Sequence, residues 1–386
     1  MFSLRLVAVL GATLCALLSG VFAASPAEAA QGRIIIVDAP GAGNASGQGT
    51  GCFGCCLSIN QFGAITSSYL DANNVFHGFI RDGNGRYSSF EAPGADTTPQ
   101  SFNGTISQSI NDLGETAGYY ADATGSAHGF VRSIWGTYES FDAPGAANGT
   151  IPVFIGLDGS VVGYSLDANF LFHAFLRKPD GSFAVFVGPQ SCTGGTPVGC
   201  YGSEATFVGL FGITVGNFED NSANLVAHGM IRTPNGRITV FDAPGAGTGL
   251  YQGTGCPGCN MGVNILGAIA GSYTDANNVF HGFVRYGDGT FVTFDANGAG
   301  TESYQGTGCF SDCPMALNDL GTVAGSYWDS NYVQHGFVRS PDGHFATIDP
   351  PTSVATQPET INDAGTVAGY YIDSNNVMHG FIRQAK

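Results

Sequence analysis

The chain has 386 residues, 13 of them Lys or Arg and 30 Asp or Glu, for a formal net charge of −17. Such a surface repels phosphates and anionic headgroups, which excludes nucleic acid and polybasic membrane docking as partners. With 43% hydrophobic and 11% charged residues the chain is not disordered, and its 59 glycines lack the period of three of a collagen, so a turn-rich all-β protein is expected.

Residues 1–30 read as a signal peptide. Arg5 supplies the positive end, Leu6 to Ala24 is mostly apolar, and small residues offer cleavage after Ala23 or Ala29. An uncleaved anchor is the rival reading, because the apolar stretch approaches the length of a membrane span. Two glycines and the absence of positive charge after it favour cleavage, with no membrane insertion once it is removed and with secretion to the periplasm or beyond.

From residue 31 onward the chain reads as one domain of seven copies of a single unit. Their cores are HGFIR at His77, HGFVR at His128, HAFLR at His173, HGMIR at His228, HGFVR at His281 and His335, and HGFIR at His379. Successive histidines lie 44 to 55 residues apart, the length of a four-stranded propeller blade. Within each copy DANN, DSNN, GNG and GDG segments mark tight turns between short apolar strands. A seven-bladed β-propeller with four antiparallel strands per blade is predicted. The outer strand, ending in Asp-Ala-Pro-Gly-Ala or a relic of it, follows six of the histidines but not His379. A spare copy, RIIIVDAPGAG, opens the chain at Arg33, so the N-terminal strand is expected to complete the last blade and close the ring.

INDLGETAGYY, INDAGTVAGYY, the His-Gly-Phe cores, the His-Ala-Phe core at His173 and the following FDAPG together resemble the HAF-type extracellular repeat proteins of bacteria. The resemblance runs from Arg33 to the end. It implies secretion and a propeller-like repeat, and brings no catalytic residue with it.

The recurring polar residues have structural readings. On a strand His, Phe and Arg share one face, which packs against a neighbouring blade, so the seven histidines cannot converge on one ion. The aspartate of Tyr-x-Asp (Asp71, Asp122, Asp167, Asp220, Asp275, Asp329, Asp373) is expected to meet the histidine across a hairpin as a buried pair. The seven core arginines are expected in blade-edge ion pairs or carbonyl clamps rather than a cationic ring. Asparagine before the first turn (Asn60, Asn111, Asn264, Asn318, Asn362) gives way to Gly156 and Gly209, which suggests a left-handed backbone position. The DANN turns lack the ligand spacing of calcium loops and read as Asx turns.

Nine cysteines follow the leader: Cys52, Cys55, Cys56, Cys192, Cys200, Cys256, Cys259, Cys309 and Cys313. In an exported chain they read as local disulfides, Cys192–Cys200, Cys256–Cys259, Cys309–Cys313 and Cys52 with Cys55 or Cys56. A zinc site shared by the Cys256/Cys259 and Cys309/Cys313 loops has the ligand count, but an oxidising compartment disfavours it. No CxxC precedes a histidine, so covalent haem is excluded and no cofactor is expected.

Two functions are open. A binding or scaffold propeller would use the long loops at 43–57, 96–108, 190–206, 247–262 and 300–315, which gather on one face and carry Phe53, Phe102, Tyr201, Tyr251, Tyr304 and Phe310. Tyr201, Tyr251 and Tyr304 are the candidate ligand contacts, with a polysaccharide or a protein surface as partner. The alternative is a carbohydrate-directed hydrolase or lyase with an axial pocket, for which Glu204, Glu302 and Asp312 are the loop acids.

Overall fold

Each copy of the motif folds as an antiparallel meander. In the first, Ile65–Leu70 pairs with the histidine strand Phe76–Arg81, which pairs with the outer strand Tyr87–Phe90. The inner edge comes from Gly49–Thr50 and Ser58–Ile59, both bonded to Ile65–Leu70. Turn chemistry sets the hairpins: Asn74, closing the DANN turn, takes φ 57°, a left-handed conformation that Asn tolerates. The computed structural model describes residues 32–51, 57–192 and 199–385, and of Leu210 the backbone alone. The leader read at 1–30, Phe53, Cys52, Cys55 and Cys56 lie outside the described residues. Among those described the chain is all-β, with one short 3-10 turn at Leu210–Gly212.

The meanders follow one another round a ring and are bonded at three depths. Midway, the inner strand of each copy meets the histidine strand of the copy before it, as in the parallel bridges Phe76↔Gly104 and Phe280↔Gly306. At the first crossing only glycine fits: Gly104 has φ 125°, and a Cβ would lie 2.1 Å from the Phe76 carbonyl oxygen. The next residue, Thr105, sends its hydroxyl back to accept from Ala92 N–H (2.9 Å), tying the Pro-Gly loop of one copy to the inner strand of the next. Thr50, Thr150, Thr254 and Thr307 do the same for Ala39, Ala143, Ala243 and Ala296.

Further out, rings interlock. Phe79, Phe130, Phe175, Phe283, Phe337 and Phe381 of the histidine motif are fully buried. Phe90 of an outer strand lies over Gly78 of its own copy, where a Cβ would sit 2.5 Å from the ring, and meets Phe130 of the next edge-on at 6.3 Å. Phe141–Phe175, Phe241–Phe283 and Phe294–Phe337 repeat the contact, each pair adding about 0.5–1.5 kcal/mol beyond area burial.

At the inner turns the asparagines make a belt. Asn60 is not in the left-handed region, which overturns the backbone reading. Its Oδ1 accepts from Phe62 and Ala64 N–H, while its Nδ2 donates to the Asn111 carbonyl of the next copy at 3.1 Å. Asn111 reaches Gly156, Asn264 reaches Asn318, Asn318 reaches Asn362, and Asn362 returns to Asn60.

The ring closes as the spare strand foretold. Arg33–Val37 pairs antiparallel with Met378–Gln384, in register from Arg33↔Gln384 to Val37↔Gly380. The inner edge closes too: Ile59 N–H donates to Thr360 Oγ1 at 3.1 Å, and that hydroxyl donates to Leu57 O at 2.9 Å.

Asn318→Ala removes one bond between neighbours and the Oδ1 acceptor for Thr322 N–H (2.9 Å). It is expected to cost about 1–3 kcal/mol in urea unfolding. Asn318→Asp, which retains the acceptor and loses the donor, should fall between Ala and the native chain.

Candidate functional site

Two sets of residues compete for function: those repeated in every copy and those that break the repeat. The repeated histidines lie each between two carboxylates. In the copy of His281, Nε2 is 3.6 Å from Asp275 and Nδ1 is 2.8 Å from Asp295 of the outer strand. His128, His228, His335 and His379 repeat this with Asp142, Asp242, Asp349 and Asp38, and His77 with Glu91. His173 has Asp167 alone, because Val187 stands where the outer-strand acid would be. The rings stack on the tyrosine before them where one is present, Tyr273–His281 at 5.0 Å. The expected Asp partner is therefore present. The pair is not fully buried, since the imidazoles remain about a fifth to a quarter exposed. Asp275 also accepts the Asn277 and Val279 amides, as an Asx turn does. Each set belongs to one copy, and among the described residues no group of three or more His, Cys, Asp or Glu is arranged to hold a metal ion.

The arginines do something not foreseen. Arg132, Arg177, Arg232 and Arg339 each lie 4.8 Å over an outer-strand phenylalanine of the preceding copy. Arg285 lies 3.3 Å from the Tyr286 carbonyl, a clamp of the expected kind, and Arg177 meets the carboxylate of Glu139.

At the axis lies a cavity of ≈ 40 Å³, lined by Glu204, Asp312 and Glu359 with Gln108, Asn260 and Tyr164 among others. Glu204 accepts from Asn217 Nδ2 at 2.9 Å and Gly258 N–H at 3.0 Å. Glu359 accepts from Leu57 N–H and from Gln357 Nε2. Burial pushes Glu204 up to about 7 and Glu359 up to about 8, and raises Asp312 as well. Glu204 and Asp312, the acids named from the loops, thus do meet. Glu302 lies exposed and apart, and Glu359, on an inner strand, was missed. At ≈ 40 Å³ the cavity has room for a few waters and is too small for a sugar ring.

The loop face carries a larger feature. A cleft of ≈ 310 Å³ is lined by Phe280, Tyr304, Phe310, Trp328 and Tyr332 with Cys309 and Ser311. Phe310 meets Tyr304 at 6.4 Å and Tyr251 at 6.0 Å, both edge-on. The cysteines paired as expected, Cys192–Cys200, Cys256–Cys259 and Cys309–Cys313, with Cα separations of 6.5, 5.1 and 5.8 Å. The last two staple the loops beside the cleft. In Tyr-Gln-Gly-Thr-Gly the glutamine builds the loop: Gln252 Oε1 accepts from Gly249 N–H, and its Nε2 donates to Asn278 Oδ1, both at 2.8 Å. The tyrosines of this motif, Tyr251 and Tyr304, hold left-handed backbone (φ 57° and 64°) with their rings partly in solvent. Tyr201 does not join them. It occupies the glutamine position, one residue further along, so its ring turns inward. It is 8% exposed and its hydroxyl donates to Asn217 Oδ1.

Strands alternate in direction, so the long loops and Asp turns share one rim and the Asn and Gly turns share the other. The eleven described Lys and Arg all lie at the Asn-turn rim or on strand ends that reach it. Nineteen of the 29 described carboxylates belong to the loop rim or the axial cavity.

Several solved structures share this architecture. They include a streptogramin B lyase (TM-score 0.55, 15% identity, 91% of this chain and 97% of that one). A catalytically inactive virginiamycin B lyase from Staphylococcus aureus with quinupristin superposes at TM-score 0.56 with 12% identity, over 92% and 99% of the two chains. The β-propeller domain of the trilobed protease from Pyrococcus furiosus does so at 0.55 with 10% identity, over 86% and 96%. The fold is a β-propeller. At these identities the likeness is one of fold alone. No protein-family model matches the chain, and no curated protein matches it in sequence.

The buried acids set a pH dependence. Glu204 and Glu219 are pushed to about 7 and Glu359 to about 8, all by burial, from a usual 4.5. Below about pH 4.5 they are protonated folded or unfolded. Between there and pH 7–8 only the unfolded chain ionises, so stability falls as pH rises and levels off beyond. His77, His228 and His281 are raised, first by their outer-strand carboxylates, and lose their stabilisation in the same direction as pH climbs through their folded values. Asp71, Asp167 and Asp275 oppose at the acid end. Burial pushes them up, but turn amides outweigh it and hold them below 3.8, so their contribution is lost as pH falls through those values. Melting temperature is expected to peak near pH 5 and to be lower at pH 8. Glu359→Gln should raise the pH 8 value and flatten the slope; an unchanged slope would show that the axial acids do not control it.

Proposed function

We propose that this chain is an exported, single-domain propeller of the HAF-repeat kind, with seven blades over residues 31–386 and a leader at 1–30. Its role is binding, through the aromatic cleft on the loop face. Seven histidine strands, each paired with two strands of its own meander, support the blade count. Three cysteine pairs at disulfide distance suit an oxidising compartment, periplasmic or extracellular.

The cleft of Phe280, Tyr304, Phe310, Trp328 and Tyr332 carries the functional reading. Its rings offer flat apolar faces to the C–H face of a pyranose, and the disulfides beside it hold the loops before a ligand arrives, which lowers the cost of ordering. Carboxylates without Lys or Arg on this rim repel anionic chains. A neutral polysaccharide fits both facts.

The chain has two tryptophans, Trp135 and Trp328. In a Trp135→Phe background, Trp328 reports on the cleft alone. Neutral oligosaccharides are expected to shift its fluorescence, and uronate-containing ones to leave it unchanged. Tyr304→Ala should weaken binding about 3- to 10-fold, the share of one aromatic contact. A glycan that binds without perturbing Trp328 would move the site elsewhere. A basic peptide that binds when no glycan does would replace the ligand class.

A further inference from the structure

The rim opposite the loops carries an apolar crown. The turn joining the two inner strands of each copy is a tight turn at the protein surface, where Asn, Asp, Ser and Gly are the ordinary residues. Six of the seven copies place a large apolar side chain there: Phe62, Leu113, Leu157, Phe211, Leu266 and Leu320, with Ala364 in the seventh. They are not packed down. Phe62 is 74%, Phe211 87% and Leu266 75% exposed, and Ile213 and Ile265 stand exposed beside them. Local folding does not call for these residues: Phe211 even takes φ 66°, a conformation that suits Asn or Gly and costs a bulky side chain.

Bonded turns support the crown over much of the ring. The Asn belt lies under it, and neighbouring turns are also bonded directly. Gln61 N–H donates to Asp112 Oδ1, Ile265 N–H to Asp319, and Asp319 N–H to Asp363, each at 2.9 Å. Exposed fractions applied to side chains of about 150–250 Å² give on the order of 1,000 Å² of apolar surface. It reaches the roughly 800 Å² per partner that a stable protein interface buries.

We infer that this face is the interface between two copies of the chain, stacked turn rim to turn rim. Charge selects the occupant. The whole chain carries −17, so two copies repel over most orientations. On this rim the eleven described Lys and Arg face ten carboxylates, which leaves it near neutral, while the loop half carries the remaining nineteen carboxylates and none of the eleven cations. A second copy can therefore approach here without a like-charge penalty. A lipid bilayer is a poorer occupant, since Asp112, Asp158 and Asp319 stand next to crown residues and would have to enter it with them. Stacked this way, the two loop faces point outward in opposite directions.

The test is the mass in solution of the mature full-length chain, by sedimentation or light scattering over a concentration series. The expected result is twice the chain mass, falling to the chain mass on dilution. The triple variant Phe62→Ser, Phe211→Asn, Leu266→Ser is expected to be monomeric throughout, with an unchanged far-UV spectrum. Monomer stability should be retained, because these residues suit an exposed turn at least as well as those they replace. Trp135→Phe, at a turn further from the axis, controls for surface change and should leave the dimer intact. A native chain that stays monomeric at every concentration would overturn the inference. So would a triple variant that is folded and still dimeric, or a monomer that floats with zwitterionic vesicles through the crown.

Discussion

A closed ring of sheets stands only if every pair of neighbours is joined and the last meets the first. In this chain the joint is made by small polar groups more than by bulk. One asparagine side chain per copy, where present, caps its own turn with the oxygen and grips the next copy with the nitrogen. A Gly-Thr pair lets one backbone cross another and then ties down the preceding loop. Outside these, a phenylalanine lies on a glycine of its own blade and against a ring and an arginine of the next. The residues that look most like chemistry in the sequence, His, Asp and Arg in register, are largely spent on this architecture.

Much of this was legible beforehand because spacing carries it. The histidine interval gave blade length, the orphan DAPG copy gave the closure, and cysteines close together in sequence gave the three pairs described. What escaped depends on register across strands or on position round the ring. Asp295 meets His281 because the outer strand lies beside the histidine strand in antiparallel register, fourteen residues away in sequence. Asn60 looked like a backbone residue because glycine replaces it twice; its real partner, the Asn111 carbonyl, is fifty-one residues off in the next copy. Tyr201 was grouped with Tyr251 by likeness of loop, yet sits one position later, where side chains turn inward. Glu359 gave no signal, because an acid on an innermost strand looks like any strand acid until the ring brings Glu204 and Asp312 to it.

Symmetry also separates scaffold from site. A group present in every copy is found at every angle about the axis and cannot make one place special. The cleft by Tyr304 and Trp328 arises where two disulfide-stapled loops of similar sequence adjoin and where a tryptophan replaces the Leu, Ala, Glu, Thr or Ile of other copies. The axial acids likewise come from three copies only, and their raised protonation follows from burial where the ring brings them together.

The strap that closes the ring has a mechanical side. Arg33 and Gln384 are paired at the same end of two antiparallel strands, so the chain enters and leaves the domain at one point. A force applied between the two ends would act across this strand pair and peel it open one hydrogen bond at a time, from Arg33↔Gln384 inward. Strands loaded along their length must instead break many bonds together. The molecule is thus weakest to tension through its own termini, and an attachment that uses one end alone leaves the ring unloaded.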